Sequence, residues 1–299
     1  MTSSPAGPAA ASPLRALVRT LEMIRFSHSV FALPFALLAL VLSQGGLPPL
    51  PLLGWVLLAM VSARSAAMAV NRLADRRFDA QNPRTAGRHL VTGSLSVRYA
   101  LVFTLVCVAL FFVAAWQINT TALLLSPLVL AVLVGYSFLK RVTALAHLGV
   151  GVALGLAPLG AWVAGSGGLS GDLWVPALLG LAVLFWVAGF DVIYACQDVE
   201  ADRRLRLHSI PARLGVARAL RVAALFHALC VALFALTAWR AALAPCFPVA
   251  LVLCALLLLR SHGLARPDDV SAVNGRLLPL NGLVALLLGA AGIVDVLLR

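Results

Sequence analysis

Charge is what this 299-residue chain has least of: Asp, Glu, Lys and Arg together make up 11% of it, under half of the roughly 25% usual in soluble domains. Hydrophobic residues fill 62% of the positions. That balance excludes an ordinary soluble domain and calls for a lipid bilayer. Acids are scarcer than bases, 11 against 23. A formal net charge of +12 would suggest a nucleic-acid surface only if the basic residues shared a soluble face. The five cysteines, Cys107, Cys196, Cys230, Cys246 and Cys254, show no CxxC spacing and no companion histidines, so they read as reduced packing residues. His28, His147, His208 and His227 are scattered too, without metal-ligand spacing, and structural roles are expected for them. The opening MTSSPAGPAAASPLRAL has no charge before Arg15, whereas a secretory signal needs a basic start followed directly by an apolar core. Residues 1–20 are expected to form a disordered cytoplasmic tail, and 21–299 a single transmembrane domain.

Apolar stretches of the roughly 20 residues needed to cross the hydrocarbon layer fall near 26–43, 51–70, 99–116, 121–138, 144–164, 174–194, 219–239, 243–260 and 277–297. The expected fold class is therefore all-α integral membrane, with nine transmembrane helices. Alternate connections hold the bases: six lie in 71–98, two at Lys140 and Arg141, and six in 203–221. The opposite loops, SQGGLPPL, WQINTT and GSGGLSGDL, hold none. By the positive-inside rule the N-terminus and the basic loops face the cytoplasm, most simply at the cell inner membrane. The basic excess is explained by topology, and no nucleic-acid partner is expected.

Six of the 11 acids occupy two short segments: Asp75 and Asp79 in NRLADRRFDAQNPRTAGRHL, then Asp191, Asp198, Glu200 and Asp202 in DVIYACQDVEAD. Asn71, Asp75 and Asp79 recur every four residues, as do Asp198 and Asp202, which places each set on one face of a helix end. Carboxylates at that spacing repel one another unless a cation joins them, and an all-oxygen, partly hydrated ligand set favours magnesium over zinc. The competing reading is a solvated helix end neutralised by Arg72, Arg76 and Arg77. Seven residues before Asn71 stands Arg64, and seven before Asp198 stands Asp191, each about 10 Å deeper along its helix. Charged residues inside spans face a bundle interior or cavity, so Arg64 and Asp191 are expected to line one cavity. A secondary transporter would place its acids near mid-membrane; here most of them lie at one aqueous edge.

The NxxxDxxxD pattern, the later YxxxD lead into DxxxD, and the segments RFSHSVFALPFA, NPRTAGRHLVTG, YSFLKR, GLAPLGAW and HSIPARLG resemble the UbiA family of intramembrane aromatic prenyltransferases over roughly residues 20–280. The second segment is most similar to 4-hydroxybenzoate polyprenyltransferases and their relatives in futalosine-pathway menaquinone synthesis. Arg72 departs from many members, which carry Asp there. The resemblance implies helices around a central cavity, cytoplasmic caps built from the motif loops 71–98 and 195–218, and a lateral opening toward lipid. It also implies magnesium-dependent transfer from a polyprenyl diphosphate to an aromatic acid of the 4-hydroxybenzoate type, for ubiquinone or menaquinone. Dihydroxynaphthoate and haem are the alternative acceptors. One magnesium is expected on Asn71, Asp75 and Asp79 and another on Asp198 and Asp202, with Asp75, Asp198 and Asp191 carrying catalysis. Lys140, Arg141 and Arg25 are expected to clamp the diphosphate. Arg64, Asp191 and Tyr194 are expected at the acceptor.

Overall fold

The apolar runs become helices wherever capping residues and basic loops bound them. A computed structural model describes residues 13–25, 31–265 and 273–299. Its helices are α1 (Pro13–Met23), α2 (Leu33–Gln44), α3 (Leu50–Asp79), α4 (His89–Thr92), α5 (Val97–Ile118), α6 (Thr120–Leu139) and α7 (Ala146–Gly165). They continue as α8 (Trp174–Ala195), α9 (Val199–Arg204), α10 (Ile210–Leu214), α11 (Val216–Arg240), α12 (Cys246–Leu264) and α13 (Val273–Leu297). Among the described residues there is no strand.

Among the described residues, eight helices are long and apolar enough to cross a membrane. The first expected span emerges as α2, only 12 residues long; its residues 26–30, with His28, lie outside the described residues. So do Arg266 and the first 12 residues of the expected tail. The rest of that tail is not disordered: residues 13–20 belong to α1. Met23 and Ile24, at and just past its end, sit against Ala69, Leu90, Leu95 and Ala100, and Arg19 donates to the Ser94 carbonyl at 3.1 Å. The expectation missed α1 because its apolar residues come at helical spacing rather than as a run.

Local chemistry sets the turns. Asn119 ends α5 and opens α6: its side-chain oxygen accepts from the Ala122 amide at 2.8 Å while its amide donates to the Val163 carbonyl at 2.9 Å, so one residue caps a helix and ties it to α7. Helix α3 lies against α5, α7 against α2 and α8, α8 against α11, and α12 against α13, while α6 joins α3, α5 and α7. Helices α7 and α8 approach closely, and a Cβ on Gly155 would stand 2.6 Å from the Gly180 carbonyl oxygen; only glycine permits that backbone contact.

Behind α8 the core is aromatic. Phe35 stacks on Phe234 at 5.3 Å and meets Trp186 edge-on at 5.5 Å. Trp186, fully buried, donates its indole N–H to Asn281 at 3.2 Å, which satisfies the one polar atom that such burial would strand. This block of α2, α8, α11 and α13 backs one side of a cavity of about 720 Å³ that α3, α5, α6, α7 and α8 line.

Candidate active site

The cavity runs from the basic-loop end of the bundle, at Asp79 and Asp198, to Ile118, Ala122 and Leu169 at the other. Its deep walls are apolar, with Leu125, Val129, Ala153 and Leu156 among them. All of its carboxylates come from α3 and from the stretch Asp191–Asp202.

Helix α3 continues two turns past its apolar part, so Asn71, Asp75 and Asp79 come to the cavity rim on successive turns. Asp75 is buried at 4% exposure, with Lys140 Nζ 3.5 Å from Oδ2 and Arg141 Nη2 3.8 Å from Oδ1. Those are charge contacts, and Oδ1 has no hydrogen-bond donor at all. Asp79 pairs with Arg88 at 2.5 Å. Asn71 turns its amide to Asp75 Oδ2 at 3.4 Å and its oxygen to Arg72 Nη1 at 3.2 Å. Arg72 thus takes one lone pair of the Asn71 oxygen and leaves the other free.

The second motif is not one continuous helix. After α8 the chain tightens into a 3₁₀ turn at Cys196–Asp198 before α9 begins, which turns Asp198 toward the first motif. Arg84 grips Asp198 with two donors, Nε at 2.8 Å and Nη2 at 2.5 Å, and Asn82 Nδ2 adds a third at 2.9 Å. Asp202 is buried, at 9% exposure, and lines the cavity. A further bond joins the segments, Arg204 to the Gln81 carbonyl at 2.5 Å, and the His208 amide ties the second to the end of α6 through the Lys140 carbonyl at 2.7 Å. The motif segments therefore form one bridged roof.

Basic groups crowd this rim. The bidentate bond to Asp198 holds the Arg84 guanidinium above its usual range, against the opposing effect of burial. Arg25 is pushed the other way, by burial first and then by the neighbouring positive charges of Arg88 and Arg84. Lys140 and Arg25 line the cavity as expected, but Arg141 does not. Arg141 approaches Asp75 from outside the cavity lining: its guanidinium lies over the rings of Phe138 (4.8 Å) and Phe78 (5.2 Å) and donates to the Ala74 carbonyl at 2.7 Å. Arg141 braces the end of α3 against α6.

Deeper down, Arg64, Asp191 and Tyr194 line the same cavity. Arg64 Nη2 lies 3.5 Å from the Arg25 carbonyl. The Tyr194 hydroxyl is buried without a hydrogen-bond partner, its ring edge-on to Phe190 at 6.3 Å. Asp191 accepts from His147 Nδ1 at 2.7 Å. Asn82, Arg84, Arg88 and His147, for which the sequence suggested no more than loop topology or a structural role, also line the cavity. For the first three the signal was their place in the turn-rich NPRTAGR segment directly after the first motif; His147 had none.

The donor set suits a hard divalent cation. It is all oxygen, and the buried Asp75 Oδ1 lacks any donor. Among the described residues no three His, Cys, Asp or Glu side chains converge on one point. Each motif can therefore supply one or two oxygens, the share magnesium takes from protein when diphosphate and water complete its shell.

Comparison with known proteins gives the same picture. The sequence model of the UbiA prenyltransferase family matches residues 32–293. The chain is 34% identical over 200 residues to a 4-hydroxybenzoate solanesyltransferase of Synechocystis sp. (strain ATCC 27184 / PCC 6803 / Kazusa), covering 64% of this chain and 68% of the relative. It is 35% identical over 219 residues to a 4-hydroxybenzoate octaprenyltransferase of Albidiferax ferrireducens, covering 72% of each. Among solved structures, the apo structure of a UbiA homolog from Aeropyrum pernix K1 superposes with a TM-score of 0.82 at 38% identity, covering 91% of this chain and 98% of that one. A UbiA homolog from Archaeoglobus fulgidus bound to GPP and Mg2+ shares the fold at 22% identity, with a TM-score of 0.72 over 93% of this chain and 99% of that one.

Proposed function

The chain belongs to the UbiA prenyltransferase family, and from that membership and the cavity's geometry we propose that it transfers a polyprenyl group from a polyprenyl diphosphate to an aromatic acid of the 4-hydroxybenzoate type. The observation that carries this is the cavity itself: four carboxylates and their basic partners close one end, and an apolar shaft of bundle depth lies below. That matches a ligand with a charged diphosphate head and a long hydrocarbon tail. A transporter relay would want its acids at mid-shaft, whereas even Asp191 lies only one turn from the C-terminal end of α8, bonded to His147 in the first turn of α7.

In this reading Asp75 and Asp79, with Asn71 beside them, face Asp198 and Asp202 across the head group and hold magnesium. When bound, magnesium neutralises the diphosphate and lowers the cost of its departure. Lys140, Arg84 and Arg88 leave Asp75, Asp198 and Asp79 for the phosphate oxygens, and Arg25 adds a fourth cation. Their charge-assisted hydrogen bonds strengthen as negative charge collects on the leaving group. The allylic carbon–oxygen bond breaks, the ring carbon next to the acceptor hydroxyl forms the new carbon–carbon bond, and the ring proton is lost. The apolar walls keep water from the allylic cation. Asp191 accepts a hydrogen bond from the acceptor hydroxyl, Arg64 binds the acceptor carboxylate, and Tyr194 lies between them. The positive-inside rule places this head-group end on the cytoplasmic face of the inner membrane.

The test is product mass spectrometry on the purified chain in lipid nanodiscs, given one polyprenyl diphosphate, magnesium and a panel of aromatic acids. The expected product is the prenylated 4-hydroxybenzoate with equimolar pyrophosphate. Absence of pyrophosphate release with every acceptor would refute the assignment.

A further inference from the structure

His147 uses both of its ring nitrogens. It sits in the first turn of α7, 5% exposed, where Nδ1 lies 2.7 Å from Asp191 Oδ2 and Nε2 lies 3.3 Å from the backbone nitrogen of Ile210. A backbone amide can only donate, so Nε2 is the acceptor there and the ring hydrogen sits on Nδ1, donating to Asp191. Held at both ends, the ring cannot flip. We propose that His147 is the positioning residue that fixes Asp191 for the acceptor, and that it thereby selects for an acceptor that brings a hydroxyl donor to α8.

With Oδ2 committed to His147, the free face of Asp191 is Oδ1. Its side chain is 34% exposed and lines the cavity. A carboxylate oxygen accepts and does not donate, so it favours a phenolic hydroxyl and repels the acid end of a hydroxy acid. The acceptor carboxylate is then turned toward Arg64, and prenylation is directed beside the hydroxyl. Ile210 opens α10, whose N-cap is Ser209, in the segment that follows the second motif. One imidazole therefore links Asp191 to the loop that follows the second motif. The competing view makes His147 only a prop for the Ile210 amide.

The two views part on which nitrogen matters. Asn places an amide donor near the position of Nδ1, and Gln places its amide group near Nε2, so His147→Asn can keep the bond to Asp191 while His147→Gln can keep only the one to Ile210. The assay uses the full chain in nanodiscs with geranyl diphosphate, magnesium and 4-hydroxybenzoate. Expected for His147→Ala and His147→Gln is a loss of about 10–100-fold in kcat/KM for the acceptor, the usual cost of removing an orienting partner, with the KM for geranyl diphosphate within about 3-fold of the wild type. His147→Asn should keep acceptor kcat/KM within about 5-fold of the wild type. Equal activity of the Asn and Gln variants, or rescue by Gln alone, would overturn the proposal. The proposal rests on the acceptor role of Asp191, so Asp191→Asn is measured alongside: wild-type turnover there would sink that role and the proposal together, whereas a strong loss there with equal His147 variants would sink the proposal alone.

Discussion

Replacing Arg84 by alanine should move two measurements in opposite directions. In the structure Arg84 holds Asp198 with two donors at 2.8 and 2.5 Å, and the pair is partly open to solvent, at 35% for Arg84 and 16% for Asp198. A fully exposed pair contributes about 0–1 kcal/mol; the partial burial and bidentate geometry raise this to about 1–2 kcal/mol. A cation binding to Asp198 must first displace that guanidinium, so its removal should lower the magnesium concentration for half-maximal activity by about 5–30-fold. The same change deletes one charge-assisted contact to the departing diphosphate, about 1.5–3 kcal/mol, and should cut kcat/KM for the prenyl diphosphate by about 10–150-fold. Both are read from one steady-state experiment in nanodiscs, with magnesium titrated at several diphosphate concentrations and pyrophosphate release followed. Asn82 still donates to Asp198 at 2.9 Å, so the carboxylate stays in place. If the magnesium requirement rises instead, Arg84 serves to hold Asp198 in its ligating pose and the partner-exchange reasoning fails.

Other consequences are simpler to test. Chelation with EDTA should abolish pyrophosphate release and added magnesium should restore it; release that survives chelation would remove the metal from the reading of the acidic motifs. Asp295, 1% exposed, accepts from the Cys246 and Phe247 amides at 2.8 Å each and so caps α12 from α13. Asp295→Ala should cost about 1–3 kcal/mol, seen as a lower midpoint in SDS-induced unfolding, and an unchanged midpoint would show that those amides find other partners. Gly155→Ala forces a methyl to 2.6 Å from the Gly180 carbonyl oxygen, so α7 and α8 must separate at about 1–3 kcal/mol; wild-type stability and acceptor KM would contradict the close approach.

The two acidic motifs, the charge asymmetry between loops and most of the spans were legible in the sequence because each is written in neighbouring residues: a run of apolar side chains, a four-residue period, a cluster of bases. Helix α1 was missed because its apolar residues are spaced rather than contiguous. Arg25, Arg64, Lys140, Asp191 and Tyr194 line one cavity in the structure, whereas Arg141 reaches Asp75 from outside that lining, since adjacent residues past a helix end meet different neighbours and a sequence does not say which.

By itself, then, the sequence determined that the chain lives in a membrane, which loops carry the acids and bases, and which oxygen-rich chemistry those acids suit. Only the tertiary structure decided the partnerships. Arg84 lies 114 residues from Asp198 and His147 lies 44 from Asp191, and such pairs form where the basic-loop ends of α3, α7 and α8 come together, a matter of packing that no local period encodes.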